Sequence, residues 1–226
     1  MTLEYLQFPS LPAQEQVDNF FIGLQRNKSI KHIEGVFGTG LSAMNLPHVT
    51  TMTMYSHPED SDVEYLDIEE ADLFAVGLQQ CKSLVNYNGP MTLGIIVSLT
   101  ALSMLDNVKF WRDIGPEISS DECRALSGLL SKRASKVKHL HIQVAGIESG
   151  APEILAEGLA CSTSLTDVLL DLSNNDIGDE GLLAFASSLA SNTKLRELKL
   201  RNNNIGDVGL EALANSLARN SALRVY

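Results

Sequence analysis

The C-terminal part of this chain repeats itself. Residues Leu195–Ala222 read LRELKLRNNNIGDVGLEALANSLARNSA, and the segment before them contains LLDLSNNDIGDEGLLAFASSLASNTK, ending at Lys194. Aligned on their Asn-Asn-x-Ile cores, Leu172 matches Leu200, Asn175 matches Asn203, Ile177 matches Ile205 and Gly181 matches Gly209. Each pair is 28 residues apart. A fixed period of this size marks an array of supersecondary units. One unit cannot bury its apolar face until a neighbour stacks on it.

Within one unit the hydrophobic period changes. Leu198 and Leu200 alternate with polar neighbours, which predicts a strand with one buried face. Leu210, Leu213 and Leu217 follow at helical spacing and predict one buried helix face. Asp207 is the expected N-cap of that helix, and Gly206 permits the tight reversal before it. Asn203 lies between strand and helix.

The pattern Leu-x-x-Leu-x-Leu-x-x-Asn-x-Ile, followed by Gly-Asp and Gly-Leu pairs, resembles the leucine-rich repeats of the ribonuclease-inhibitor type. Similar repeats occur in NOD-like receptor arrays and in Ran GTPase-activating proteins. The resemblance implies an α/β leucine-rich repeat solenoid, a right-handed horseshoe with a concave parallel sheet and convex helices. Strands about 4.8 Å apart on one side and helices about 8–10 Å apart on the other would bend such a stack. The resemblance also implies that the Asn203 amide satisfies backbone groups of the turn.

Towards the N-terminus the pattern loosens. Val137, Leu140, Ile142 and Ile147 keep the register, with Ala145 in place of the Asn, and Ile154, Leu155 and Leu159 carry the next helix. Earlier starts fall at Leu105, Leu84, Val49, Ile30 and Leu3, so the nine starts average 27.5 residues apart. The steps around Val49 and Leu105 are uneven and cancel in pairs, so two internal starts are expected to lie several residues away. Val63, Leu66 and Ile68 compete with Val49, Met52 and Met54 for the third strand. A long step after Leu165 predicts a bulge in LTDVLLDL. The expectation is a single domain over 1–226 with about eight repeats, most regular from 137. The Ala13–Asn27 helix would cover its first end, unless the sequence is a segment of a longer solenoid.

Residues between the buried strand positions face away from the helices. Among them, Tyr55, Lys109, Trp111, His139, His141, Asp171, Lys199 and Arg201 are the candidate partner-binding residues. Trp, Tyr and Arg dominate interface energetics, so Trp111, Tyr55 and Arg201 are the expected anchors. His139 and His141 share one strand face, and Asp171 is expected on the same face, two strands' spacing or less away. Two imidazoles fall short of the three or four protein ligands of a zinc site, so no metal is expected.

Charge and cysteine usage narrow the partner. With 17 basic and 28 acidic residues the net charge is −11. That sign argues against nucleic acid and anionic membrane surfaces. The 15-residue apolar run Met91–Leu105 is shorter than a membrane span and predicts a buried helix. Three widely spaced cysteines suggest neither a disulfide framework nor a zinc cluster, and fit a cytoplasmic setting. No nucleotide-binding, zinc-protease or nucleophile-elbow motif is present. The sequence therefore reads as a non-catalytic interaction module without cofactor or small-molecule substrate, binding another protein or peptide. A GTPase activator of the Ran type, or a fragment of an immune-type receptor array, are the alternatives.

Overall fold

Alternation of period two builds the strands. In a computed structural model, which describes residues 4–8, 22–35, 46–54, 74–112, 117–131, 135–148, 150–162, 164–190 and 192–225, every second residue of the strands at 32–35, 51–54, 86–90, 107–112, 139–144 and 167–171 is buried. Ile33, Met52, Tyr87, Val108, Leu140, Leu170 and Leu198 point into the core, and their neighbours point away. The strands are β1 (Tyr5–Phe8), β2 (His32–Gly35), β3 (Thr51–Met54), β4 (Asn86–Pro90), β5 (Asn107–Arg112), β6 (His139–Val144), β7 (Asp167–Asp171), β8 (Leu195–Lys199) and β9 (Arg224–Val225). Helical segments also occur at 22–26 and 74–78, and the helices bounded within the described residues are α1 (Leu93–Leu99), α2 (Ser120–Ser131), α3 (Ala151–Cys161), α4 (Gly178–Leu189) and α5 (Asp207–Leu217). The fold is α/β and of the leucine-rich repeat kind. The chain divides into two compact units, Met1–Lys109 and Phe110–Tyr226.

In the first unit β1 to β4 pair parallel in chain order. Register partners Tyr5–His32, His32–Thr51 and Thr51–Asn86 are 27, 19 and 35 residues apart. The uneven steps are therefore real, and the expected displacement of the internal starts is corrected: strands begin within two residues of Ile30, Val49, Leu84 and Leu105. Parallel pairing fixes only the strand register, so the return path can vary in length. The competing set around Val63 lies outside the described residues. The apolar run from Met91 forms only a seven-residue helix, α1, capped by the Thr92 hydroxyl accepting from Ile95 N at 3.3 Å. The expected helix is buried along one face, through Ile95, Ile96 and Leu99, while Leu93 and Val97 are exposed. Tyr87 occupies a core position where a leucine is usual. Its ring is accommodated because Gly89 has no side chain: a Cβ there would lie 2.5 Å from the Tyr87 hydroxyl. That hydroxyl donates to Pro90 O at 3.1 Å, so the buried polar atom is satisfied.

In the second unit β6 to β9 pair parallel in chain order. The expected bulge is present, with the register shifting between Val168 and Leu169. Helix α2 starts with a capping box: the Ser119 hydroxyl accepts from Glu122 N at 3.2 Å, and Glu122 Oε2 accepts from Ser119 N at 2.9 Å. Arg112, buried at the end of β5, donates to both oxygens of the same carboxylate. Gly158 lets α3 approach α2 closely, since a Cβ there would lie 2.6 Å from Ser127 Cβ.

The turns explain the repeated asparagines. Asn175 and Asn203 point inward, 7% and 2% exposed, while Asn174, Asp176, Asn202 and Asn204 beside them have positive φ. Asn and Asp tolerate that left-handed region better than other residues with a side chain. Asn203 Oδ1 accepts from Asn175 N and Ile177 N at 3.1 and 3.2 Å, and its Nδ2 donates to Leu172 O at 2.7 Å. The amide thus serves the preceding repeat as well as its own turn. Asn175 does the same one repeat earlier, reaching Val144 O and Gly146 N. The turn that carries Ala145 is in this way still held.

Two expectations for α5 are corrected. Its N-cap is Gly206, with no side-chain cap bond, and Asp207 is the first helical residue. The acceptor comes instead from α4, where Asp179 Oδ1 takes Gly206 N at 2.7 Å and Gly209 N at 3.0 Å. Leu213 is buried, but Leu210 is 53% exposed. Its counterpart 28 residues earlier, Leu182, is fully buried because α5 packs against α4. Among the described residues, no further helix covers that side of α5.

Candidate functional site

Strand parity in the second unit places the polar residues in rows across the sheet. His139 lies opposite Asp167, His141 opposite Leu169, and Gln143 opposite Asp171. On the next strand Leu169 meets Glu197 and Asp171 meets Lys199. Each row therefore faces away from the helices with a different chemistry.

The histidine row is loosely tied. His139 is exposed, with Nδ1 3.9 Å from Asp167 Oδ2. Asp171 lies on the adjacent strand and the same face as the two histidines, as expected, with the register setting it directly against Gln143. Among the described residues no three His, Cys, Asp or Glu side chains are grouped to hold a metal ion. Trp111 is half-buried on β5.

At the carboxyl ends of β6, β7 and β8 the rows open into a cavity of about 670 Å³, lined by Gln143, Val144, Ala145, Asp171, Ser173, Asn174, Lys199, Arg201 and Asn202. Three of the candidate residues, Asp171, Lys199 and Arg201, meet here. Lys199 Nζ donates to Asp171 Oδ2 at 3.2 Å, and Ser173 N donates to Oδ1 at 3.3 Å. Partial burial opposes ionisation of Asp171. The bonds from Ser173 and Lys199, with the lysine charge, outweigh it and hold the carboxyl below its ordinary value. Arg201 is exposed at the rim. Asn174 and Asn202 also line the cavity, with Asn202 Nδ2 donating to Asn174 Oδ1 at 2.9 Å. Neither of these two is among the candidates named from the sequence. Their recurrence at 28 residues is the signal that places them side by side, since equal positions in successive repeats stack.

The first unit presents a different surface. Its sheet face carries Tyr5, Gln7, His32 and Glu34, which bond among themselves. The Tyr5 hydroxyl donates to Glu34, the Tyr5 and His32 rings meet edge-on at 4.7 Å, and His32 Nε2 lies 3.5 Å from Glu34 Oε2. The bond to Glu34 pushes the Tyr5 phenol above its usual value. Next to them, Asn107 Nδ2 donates to Asn86 Oδ1 at 2.6 Å, and Asn86 Nδ2 to Thr51 Oγ1 at 2.9 Å. Lys109 is exposed beyond this ladder. Tyr55 lies outside the described residues.

The thiols do not join either surface. Cys81 and Cys123 are buried, and burial pushes them up to about 11 and about 12, whereas Cys161 is exposed. Among the described residues no helix is long and apolar enough to cross a membrane.

With this geometry in place, the comparisons fall on the same repeats. The leucine-rich repeat family model matches residues 163–186 and 191–214. These are the two β–α units that hold Asn175 and Asn203. No curated protein matches the chain. A solved leucine-rich repeat protein of Leptospira interrogans is similar at 12% identity and a TM-score of 0.29, covering 88% of this chain and 73% of that one. The chain therefore carries leucine-rich repeats, a kind of unit that generally serves protein–protein interaction.

Proposed function

We propose that this chain is a non-catalytic, intracellular interaction module of the ribonuclease-inhibitor-like repeat type, binding a partner protein or peptide on the helix-free face of its sheet. One observation carries the reading. In the second unit the strand rows display Trp111, His141 and Lys199 on a hydrogen-bonded sheet, with Arg201 in the turn just beyond, and Lys199 and Arg201 open into a polar cavity. Rigid presentation of aromatic and cationic side chains lowers the entropy lost on binding. The helices carry exposed acids instead, Glu153, Glu157, Glu180 and Glu211, which favour solubility. The 28-residue period and the Asn-Asn-x-Ile turn support the repeat type. The overall negative charge disfavours nucleic acid and membrane as partners, and free cysteines suit a reducing compartment.

Binding kinetics against a partner recovered by affinity capture test this reading. Trp111→Ala is expected to weaken the complex by about 2 kcal/mol or more. Lys199→Glu with Arg201→Glu should slow association in a salt-dependent manner. Glu157→Ala, on the exposed side of α3, should leave both rates unchanged. Loss of affinity in the α3 variant alone would place recognition on the helices and end the proposal.

A further inference from the structure

We infer that the cavity at the carboxyl ends of β6, β7 and β8 is a carboxylate subsite, taking an aspartate or glutamate side chain of an extended partner segment. This rests on the interaction reading above and gives the partner its chemistry.

The argument is an excess of unspent donors in an otherwise acidic chain. Among the described residues Asp171 is the one acid lining the cavity, and its two oxygens are already engaged by Ser173 N and Lys199 Nζ. Lys199 spends one of its N–H groups there and keeps the others. Arg201 stands two residues beyond Lys199, exposed, and its guanidinium bonds no described residue. Across the rim, Asn202 Nδ2 is spent on Asn174 Oδ1, which leaves the Asn174 Nδ2 donor unspent. Two cations against one paired carboxylate give the cavity a net positive charge, inside a protein of net charge −11. The planar guanidinium fork suits a carboxylate bidentately, and the side amides supply further donors. A volume of about 670 Å³ exceeds what one carboxylate fills and leaves room for the chain that bears it. Glu197 sits one row away, opposite Leu169, and does not line the cavity.

The test uses the full chain and two fluorescent, end-blocked peptides, one alternating Glu with Gly and the other Gln with Gly, read by anisotropy at low and raised salt. The glutamate peptide is expected to bind more tightly, with an affinity that falls as salt rises. Arg201→Gln should weaken it about tenfold. Asp171→Asn should tighten it, by removing the like charge and releasing Lys199. Glu157→Gln should change nothing. Arg201 is exposed, so its replacement leaves the fold intact, and an unchanged urea midpoint checks that. Equal binding of both peptides, or an Arg201→Gln variant with parental affinity, overturns the subsite. Inorganic phosphate that competes as well as the peptide also overturns it, in favour of a general anion site. If Arg201→Gln is silent while Trp111→Ala still weakens a captured partner, the subsite fails and the interaction reading survives. If both are silent and the α3 variant is not, both fail.

Discussion

Replacing Asn203 with alanine removes one side-chain amide but unfastens two repeats. The residue is 2% exposed. Its oxygen holds Asn175 N and Ile177 N, and its nitrogen holds Leu172 O and Arg201 O. All four lose their side-chain partner, but Arg201 O keeps a second donor, Asn174 N at 2.8 Å, so three backbone groups are orphaned. An orphaned buried polar group costs about 1–3 kcal/mol. Water entering from the exposed neighbours Asn202 and Asn204 recovers part of that, so the expected loss is about 3 kcal/mol. Urea unfolding should show it as a lower midpoint with the slope retained. Amide exchange should quicken at Asn175 and Ile177, which are 28 and 26 residues distant in sequence. Asn203→Asp keeps the acceptor and loses the donor, so it should fall between parent and alanine. A midpoint equal to the parent's, with unchanged exchange at those two amides, would refute the bridging role.

Three further outcomes follow from packing and burial. Gly158→Ala should destabilise by about 1–3 kcal/mol in thermal or urea unfolding, because the new Cβ would lie 2.6–2.8 Å from Ser127 atoms that include its Cα. Glu122→Gln leaves the Arg112 charge buried without its counter-ion and should cost about 3–5 kcal/mol, whereas an unaltered midpoint would dismiss the pair as structural. Under native conditions a thiol reagent should modify Cys161 quickly and Cys81 and Cys123 only on unfolding; rapid labelling of all three would contradict their burial.

The parts of the fold that were legible in the sequence are those governed by periodicity. Alternating Leu140–Ile142 and Leu198–Leu200 announce strands because a strand face repeats every second residue. The identical turns announce stacking because only equal units stack. The Asp207 cap was misread since sequence spacing reports partners within a helix, and Asp179 reaches across from the helix before. Leu210 shows the same limit: helical spacing assigns it to an apolar face, but burial needs a covering neighbour. The uneven steps before 137 looked like misplaced starts because parallel strands impose no length on the connection between them. The site was legible at Asp171, Lys199 and Arg201, which strand parity lays on one face. Asn174 and Asn202 were legible only as recurring positions, because a 28-residue spacing shows that they stack but not that they line a cavity. That Asp171 faces Gln143 directly depends on strand register, which residue spacing leaves open.

The bonds between the last two full repeats run both ways. Asn203 reaches back to the turn at 172–177, and Asp179 reaches forward to the start of α5. Neither repeat can melt without stripping partners from the other, so their common boundary is a cooperative seam rather than a passive contact. Unfolding that begins at the C-terminal side would have to release α5 from Asp179 and the turn from Asn203 in one step. Damage at one unit is then read out in the next, one repeat at a time, which is the nearest-neighbour behaviour of a linear array. Fraying should therefore advance in whole-repeat increments, and force-extension of the chain should resolve this seam as a single rip spanning both turns.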